Sequence, residues 1–260
     1  PYKPFARLSG LLALSLLLGG LSVLVLDLGR PDRLILAMTT YNFKSVFAWN
    51  IFLYTGFMAI VVIYLYTMMA KYQAKFTRPV GFLAFGWRLV LTAGTGSIFG
   101  FIVARSAYDS ALFAPLFIAS SLVYGLAFTV LVLKIIEQSS QSVLVNAEML
   151  GKFRILLMTF IASVLLITII FHLTKLYATQ YHSVEVFLLA SGNEYSLVFW
   201  LGQIVIGTII PIYLMSVWRK SININKLAWI SVLLLLGGIA QLYVILIGGQ
   251  AYPIDLFPGM

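Results

Sequence analysis

The sequence predicts an all-α integral membrane protein, a polytopic helix bundle with seven transmembrane spans. Three observations carry that expectation. Apolar residues make up 62% of the chain and charged residues 10%, against about 45–50% and about 25% in soluble domains. The mean hydropathy is +1.02. The apolar residues also fall into seven runs of roughly 21–24 residues, the length that crosses a hydrocarbon core.

The first run, Phe5–Leu26, ends at Asp27-Leu28-Gly29-Arg30-Pro31-Asp32-Arg33. There the glycine permits a tight turn and the proline stops the helix, which sets a carboxylate and a guanidinium at the membrane rim. This run is too long for a signal-peptide core, and no cleavage site follows it. Val46–Met69 comes next, with Ser45, Trp49, Phe52 and Gly56 on one helical face. Val80–Val103 contains Arg88, with Thr92 and Thr95 on the same face. Its Gly96 and Gly100 are small enough to let a neighbouring helix approach.

Ser110–Leu133 is the fourth span and Phe153–Leu173 the fifth. Leu197–Val217 holds Gln203, with Trp200, Gly207 and Pro211 nearby on its face, and Leu227–Ile247 holds Gln241. The connectors are short, so residues 1–260 read as a single transmembrane domain. A start at Pro1 without Met, and a final 252–259 segment that reads as a loop cut short, suggest part of a longer product.

Counting Lys and Arg gives an orientation. Eleven lie on the side of the N-terminus, from Lys3 to Lys226, and five on the other side: Arg30, Arg33, Lys44, Arg105 and Lys175. Basic residues stay in the cytoplasm. The start of the chain is therefore expected inside, in a cytoplasmic (inner) membrane, with the Asp27–Arg33 loop outward.

The net charge of +9 reads as topology determinants and lipid head-group contacts, since no basic run is dense enough for nucleic acid. The chain has no Cys, so it forms no disulfide and cannot ligate an iron–sulfur cluster through thiolates. His172 and His182 are ten residues apart, which on one helix points them about 80° away from each other. That does not suit a haem iron held from opposite sides. Both read as loop or surface histidines, and neither haem nor metal is expected in this chain.

Polar groups inside or beside the spans are the candidate functional residues. Arg88 either snorkels to the surface, holding helices together, or joins Thr92 and Gln203 on a proton or ligand pathway. Gln203 either bonds a neighbouring helix or faces a polar ligand. At the outer rim, Asp27, Arg30, Ser45, Trp49, Arg105, Tyr108 and Asp109 share one membrane face. A quinone headgroup needs hydrogen-bonding partners for two oxygens and a flat apolar wall, and this rim can supply both. The plainer reading is an Asp27–Arg30 or Arg105–Asp109 ion pair tying loops together, with aromatics as interfacial anchors.

The residues Asp27-Leu28-Gly29-Arg30-Pro31, followed by Tyr41-Asn42-Phe43-Lys44-Ser45-Val46-Phe47-Ala48-Trp49, resemble the motif pair of the NrfD-type (polysulfide reductase membrane subunit) family. Thr95-Gly96-Ser97-Ile98-Phe99-Gly100, Ala114-Pro115-Leu116-Phe117-Ile118 and Gly248-Gly249-Gln250 extend the resemblance. It is strongest to the branch with DsrP and HybB-like hydrogenase membrane subunits. The resemblance implies two four-helix bundles, a quinone site near the outer surface, and a ferredoxin-like iron–sulfur subunit docked over it. Further membrane and cytochrome subunits fit the same picture. It also implies a first helix before Pro1 and another after Met260. Many relatives carry a His in the helix matching Val80–Val103 and some a Glu where Gln203 stands; this chain has neither.

The expected function is a quinone-interacting membrane subunit that exchanges electrons between menaquinone and an iron–sulfur partner. Asp27, Arg30 and Asp109 would handle protons and charge. Ser45, Trp49, Arg105 and Tyr108 would hold the quinone. A proton or solute transporter is the alternative from another class, and an anchor without chemistry is a third.

Overall fold

The computed structural model describes residues 3–27, 29–30, 39–40, 45–140, 145–219 and 221–253. The 31–33 stretch and the 41–44 half of the second motif lie outside them, as does the side chain of Asp27. The described elements are helical: α1 (Lys3–Asp27), α2 (Val46–Met69), α3 (Thr77–Gly100), α4 (Phe113–Ser140), α5 (Ala147–Tyr177), the short α6 (His182–Leu189), α7 (Glu194–Val217) and α8 (Ile224–Ala251). All except α6 are long and apolar enough to cross a membrane, so the described residues hold the seven spans expected and the chain is a multi-pass membrane protein.

Large apolar side chains face outward along the helices, among them Val23, Leu26, Phe82, Leu166, Trp229 and Ile239. In water such exposure would drive aggregation; in lipid it is the solvated surface.

The span ends shift from their sequence-drawn positions for local reasons. The third span ends at Gly100 instead of Val103, because the following loop folds back onto the helix end. A Cβ on Gly100 would lie 2.6 Å from the Ser110 carbonyl oxygen. The fourth accordingly starts at Phe113 and not at Ser110. The fifth starts earlier than drawn, at Ala147, where Asn146 caps it by accepting from the Met149 N–H at 3.1 Å. Asn193 and Asn223 cap α7 and α8 in the same way, each at 2.9 Å. An Asn side chain at this position satisfies one of a helix's orphan N–H groups.

Two spans depart from regular α-helix. Val198–Ile209 of α7 and Val244–Gly248 of α8 are π-helical. Thr208 Oγ1 donates to the Gln203 carbonyl at 3.1 Å across the wider turn. Wide turns of this kind free carbonyls and are often found at functional positions.

The chain divides into two compact units, Pro1–Ile98 and Phe99–Met260. In the first, Leu17 of α1, Phe57 and Val61 of α2, and Leu91 of α3 form the core. Trp87 lies over Gly56, where a Cβ would meet its ring at 2.5 Å, and donates Nε1–H to the Leu53 carbonyl at 2.9 Å. In the second, α4, α5, α7 and α8 pack together, and α7 and α8 touch through backbone. A Cβ on Gly207 would come 2.6 Å from the Gly237 Cα. Ala127, Val130, Leu157, Met215, Leu227, Ile230 and Leu234 fill one half of this unit with almost no exposure. The other half sets a few buried polar side chains, among them Lys175, Glu185, Gln203 and Gln241, among aromatic and aliphatic ones.

Candidate functional site

In the first unit, polar side chains meet where α2 faces α3. Asn50 is buried, and its Nδ2 donates to Thr95 Oγ1 at 3.5 Å. Thr95 spends its own hydrogen on the Leu91 carbonyl at 3.0 Å, so the Tyr54 hydroxyl, also 3.5 Å away, is the donor of its pair. Asn50 Oδ1 is buried without a hydrogen-bond partner among the described residues. A buried acceptor left unmatched costs about 1–3 kcal/mol, so Asn50 Oδ1 is open to a donor from outside these helices.

Other faces of the same helix carry aromatic rings. Trp49 packs edge-on to Phe52 at 6.4 Å, and Phe52 tilts against Trp87 at 6.3 Å. Ser45 immediately precedes α2 and is half-buried, and Arg30 is exposed beyond the end of α1. Arg88 lies on an exposed part of α3 with its guanidinium 5.6 Å from the Phe57 ring centre. Thr92 donates back to the Arg88 carbonyl at 2.9 Å.

In the second unit, the half that holds these buried polar side chains is closed by the 101–112 loop, the Thr179–Tyr181 turn, α6 and the end of α8. Lys175, only 3% exposed, organises this cap. Its Nζ donates to three successive loop carbonyls: Ser106 at 2.7 Å, Ala107 at 2.6 Å and Tyr108 at 2.5 Å. The ammonium also lies 5.0 Å from the ring centres of Phe171 and Tyr181. Arg105 donates to the Gln250 carbonyl at 2.8 Å, and the Tyr108 hydroxyl to the Leu246 carbonyl in the π-helical stretch at 3.1 Å. Burial pushes the Tyr108 phenol up from its usual pKa.

Asp109 has a left-handed φ of 38°, a conformation open to Asp because its short side chain bonds locally. It accepts from the Tyr181 hydroxyl at 2.5 Å, and that hydrogen bond, with burial adding to it, raises the Tyr181 pKa. The Arg105–Asp109 ion pair is thus replaced by Arg105 on a backbone carbonyl and Asp109 on a phenol. Below this cap Glu185 of α6 is fully buried, and its Oε2 lies 2.6 Å from His172 Nδ1 of α5. His172 is a half-buried partner of a carboxylate, contrary to the expectation of a loop or surface histidine; His182 is exposed, with Nδ1 3.1 Å from the Leu176 carbonyl oxygen.

Gln203 and Gln241 line two small cavities inside this unit, one of about 30 Å³ with Thr168, Phe171 and His172, the other of about 20 Å³ with Tyr124 and Thr208. Gln241 Oε1 accepts from Ser120 at 3.3 Å and from Tyr124. Among the described residues, no three His, Cys, Asp or Glu side chains converge as a metal site.

Of the residues singled out in the sequence, Ser45, Trp49, Arg88 and Thr92 belong to the first unit, as do Asp27 and Arg30. Arg105, Tyr108, Asp109 and Gln203 belong to the second. Asn50, Tyr54, His172, Lys175 and Glu185 were missed as site residues. Asn50 gave a signal, an amide inside an apolar span, of the kind already noted at Gln203. Glu185 gave none, because it reaches His172 only after α6 turns back.

The chain is similar to known membrane subunits. It is 26% identical over 265 residues to the "Hdr-like menaquinol oxidoreductase integral membrane subunit" of Archaeoglobus fulgidus, covering 99% of this chain and 65% of that protein. It is 23% identical over 271 residues to a selenate reductase subunit of Mesobacillus selenatarsenatis, covering 90% of this chain and 63% of that protein. The chain therefore spans just under two thirds of the length of either relative. The family model "Polysulphide reductase, NrfD" matches residues 1–254, and the chain belongs to the NrfD family.

Proposed function

We propose that this chain is the quinone-interacting membrane subunit of a multi-subunit respiratory complex in the cytoplasmic membrane, and that the first unit holds the quinol. The observation that carries this reading is the unmatched Asn50 Oδ1 on a helix that also carries Trp49 and Phe52, the latter packed against Trp87. A quinol presents two O–H donors on a flat ring, and it needs a buried acceptor next to an aromatic face. Asn50 accepts one O–H, and Ser45 at the entry of α2 is placed to meet polar groups nearer the rim. The isoprenoid tail lies along the outward-facing apolar side chains.

Asp27 and Arg30, at the end of α1, are assigned to the same rim: the carboxylate takes the proton released on oxidation and the guanidinium holds it in place. Electrons pass to or from an iron–sulfur subunit docked on the outer face, in keeping with the similarity to a menaquinol oxidoreductase subunit. Arg105, Tyr108 and Asp109 shape the cap of the second unit.

The test is photolabelling of the assembled complex with an azido-menaquinone, followed by peptide mapping. Label in 45–58 and 84–98, reduced at least tenfold by Asn50→Leu with the complex still assembled, supports the reading. Label confined to 99–253, or unaffected by Asn50→Leu, overturns it.

A further inference from the structure

We propose that the cap of the second unit holds a binding site for a phosphate group. The site is a cavity of about 170 Å³ lined by Arg105, Ser106, Ala107, Gln180, Ser183 and Tyr252. It lies just past the end of α5 and at the end of α8, where apolar spans give way to loops. A cavity of about 150 Å³ admits a benzene-sized guest, so this one has room for a phosphate and its first ester carbon.

The lining offers donors, while its acceptors are already engaged. Arg105 gives one guanidinium N–H to the Gln250 carbonyl at 2.8 Å. An arginine fork carries five such donors, and the others have no partner among the described residues. Tyr252 donates its hydroxyl to Ser183 Oγ at 2.8 Å, which leaves the Ser183 hydrogen to donate in turn. The backbone adds more. Lys175 draws the Ser106 and Ala107 carbonyls to its ammonium at 2.7 and 2.6 Å. A trans peptide sets its N–H opposite its C=O, so the Ala107 N–H is turned away from Lys175. Among the described residues, the N–H groups of Ala104, Ser106 and Ala107 have no hydrogen-bond partner, and all three residues line the cavity. Ala107 is only 6% exposed, and N–H groups at buried positions are almost always paired. Neighbouring N–H groups left open in a loop form an anion-binding concavity.

Charge points the same way. No Asp or Glu lines the cavity. The Asp109 carboxylate accepts from Tyr181, and Glu185 faces His172. Lys175 adds a positive charge behind the Ser106 and Ala107 carbonyls. The ligand is therefore an anion rich in acceptors. Donors stand on two sides, the 101–112 loop and the 180–183 turn, which suits a tetrahedral group with several oxygens better than a planar carboxylate with two. Arginine binds phosphate through paired, charge-assisted hydrogen bonds. Inorganic phosphate and the phosphodiester of an anionic lipid share this chemistry. Val103, which lines the cavity, is 72% exposed and Phe101 is 63% exposed, so a lipid's acyl chains find apolar surface beside the headgroup.

This inference is independent of the quinol reading, because its residues all belong to the second unit. The test is amide hydrogen exchange of the full complex in maltoside detergent, stripped of lipid until a phosphorus assay reads none. Inorganic phosphate and phosphatidylglycerol are added separately, each against chloride at equal ionic strength. One of them should slow exchange at 103–107 at least fivefold, with the core amides of α4 unchanged. Slowing by phosphatidylglycerol alone identifies a lipid headgroup, and slowing by inorganic phosphate identifies a free ion. Phosphorus that resists stripping from the native complex but not from Arg105→Gln counts as the lipid result. Arg105→Gln should abolish the slowing. Ser183→Ala, at an exposed position, should weaken it severalfold and serves where Arg105→Gln does not assemble. No slowing by either addition, or slowing that the variants keep in full, overturns the proposal.

Discussion

Replacing Lys175 by Met should release the 101–112 loop without unfolding the chain. The side chains are similar in length and Met is apolar, so the change removes the charge and the three hydrogen bonds while keeping the stem packed against Phe171. Each hydrogen bond from a charged group is worth about 1.5–3 kcal/mol, so the gross loss is about 5–9 kcal/mol. Two effects offset it. The variant no longer keeps an ammonium out of water, a cost of several kcal/mol per ion. Ser106 and Ala107 also border a cavity of about 170 Å³ that Arg105, Gln180 and Ser183 line, so their freed carbonyls can be wetted. A net loss of about 3 kcal/mol, local to the loop, is the expected balance. At 1.4 kcal/mol per factor of ten that is roughly a hundredfold rise in loop opening. Amide hydrogen exchange of the complex in nanodiscs reads it directly: the 103–109 amides, including the Tyr108 N–H bonded to Arg105 at 2.9 Å, should exchange about a hundred times faster. The core amides of α4 and α5 should not change. Unchanged exchange at 103–109 would show that Lys175 does not hold the cap.

Two further outcomes follow from other contacts. The Tyr181 phenol has its pKa raised by donating to Asp109, so this contact is fully present below the unfolded tyrosine value of about 10 and is lost as pH climbs through the folded value. Asp109→Asn should bring the Tyr181 step in tyrosinate absorbance to lower pH, with Tyr181→Phe identifying the step; an unmoved step contradicts the assignment. Gly237→Ala places a methyl against the backbone of Gly207, and overpacking of this kind costs about 1–3 kcal/mol or more. Its yield of assembled complex should fall severalfold, whereas Gly20→Ala, where a Cβ meets nothing within 4 Å, should assemble normally. Equal yields would refute the close approach.

The seven spans were legible because hydropathy over about twenty residues reports the bilayer directly, whatever the helices pack against. Their ends were less so. Phe101 and Val103 are apolar enough to extend α3, but the chain leaves the helix at Gly100 to lie against Ser110, a tertiary contact with no local signature. The π-helical stretches around Gln203 and Ile245 were invisible for a related reason: widening the turn hardly alters an all-apolar pattern. In the candidate sites, residue type spoke more clearly than partner. Arg105 and Asp109 were found, yet their nearness in sequence suggested a mutual ion pair, while the folded loop gives one a carbonyl and the other a phenol. Lys175 was counted as a topology charge, since nothing in its neighbours announces three carbonyls converging from 67 to 69 residues earlier.

The glycine seam between α7 and α8 constrains how this bundle moves. Helices spaced by long side chains can rock apart and close again as rotamers change. Where main chain meets main chain at Gly207 and Gly237 there is no such cushion. The pair can slip lengthwise or twist about the point of touch, but separating would open a bare slit that lipid tails cannot fill. Any relative movement of the two helices is thereby confined to shear, which would shift Gln203 against Gln241, one on each partner.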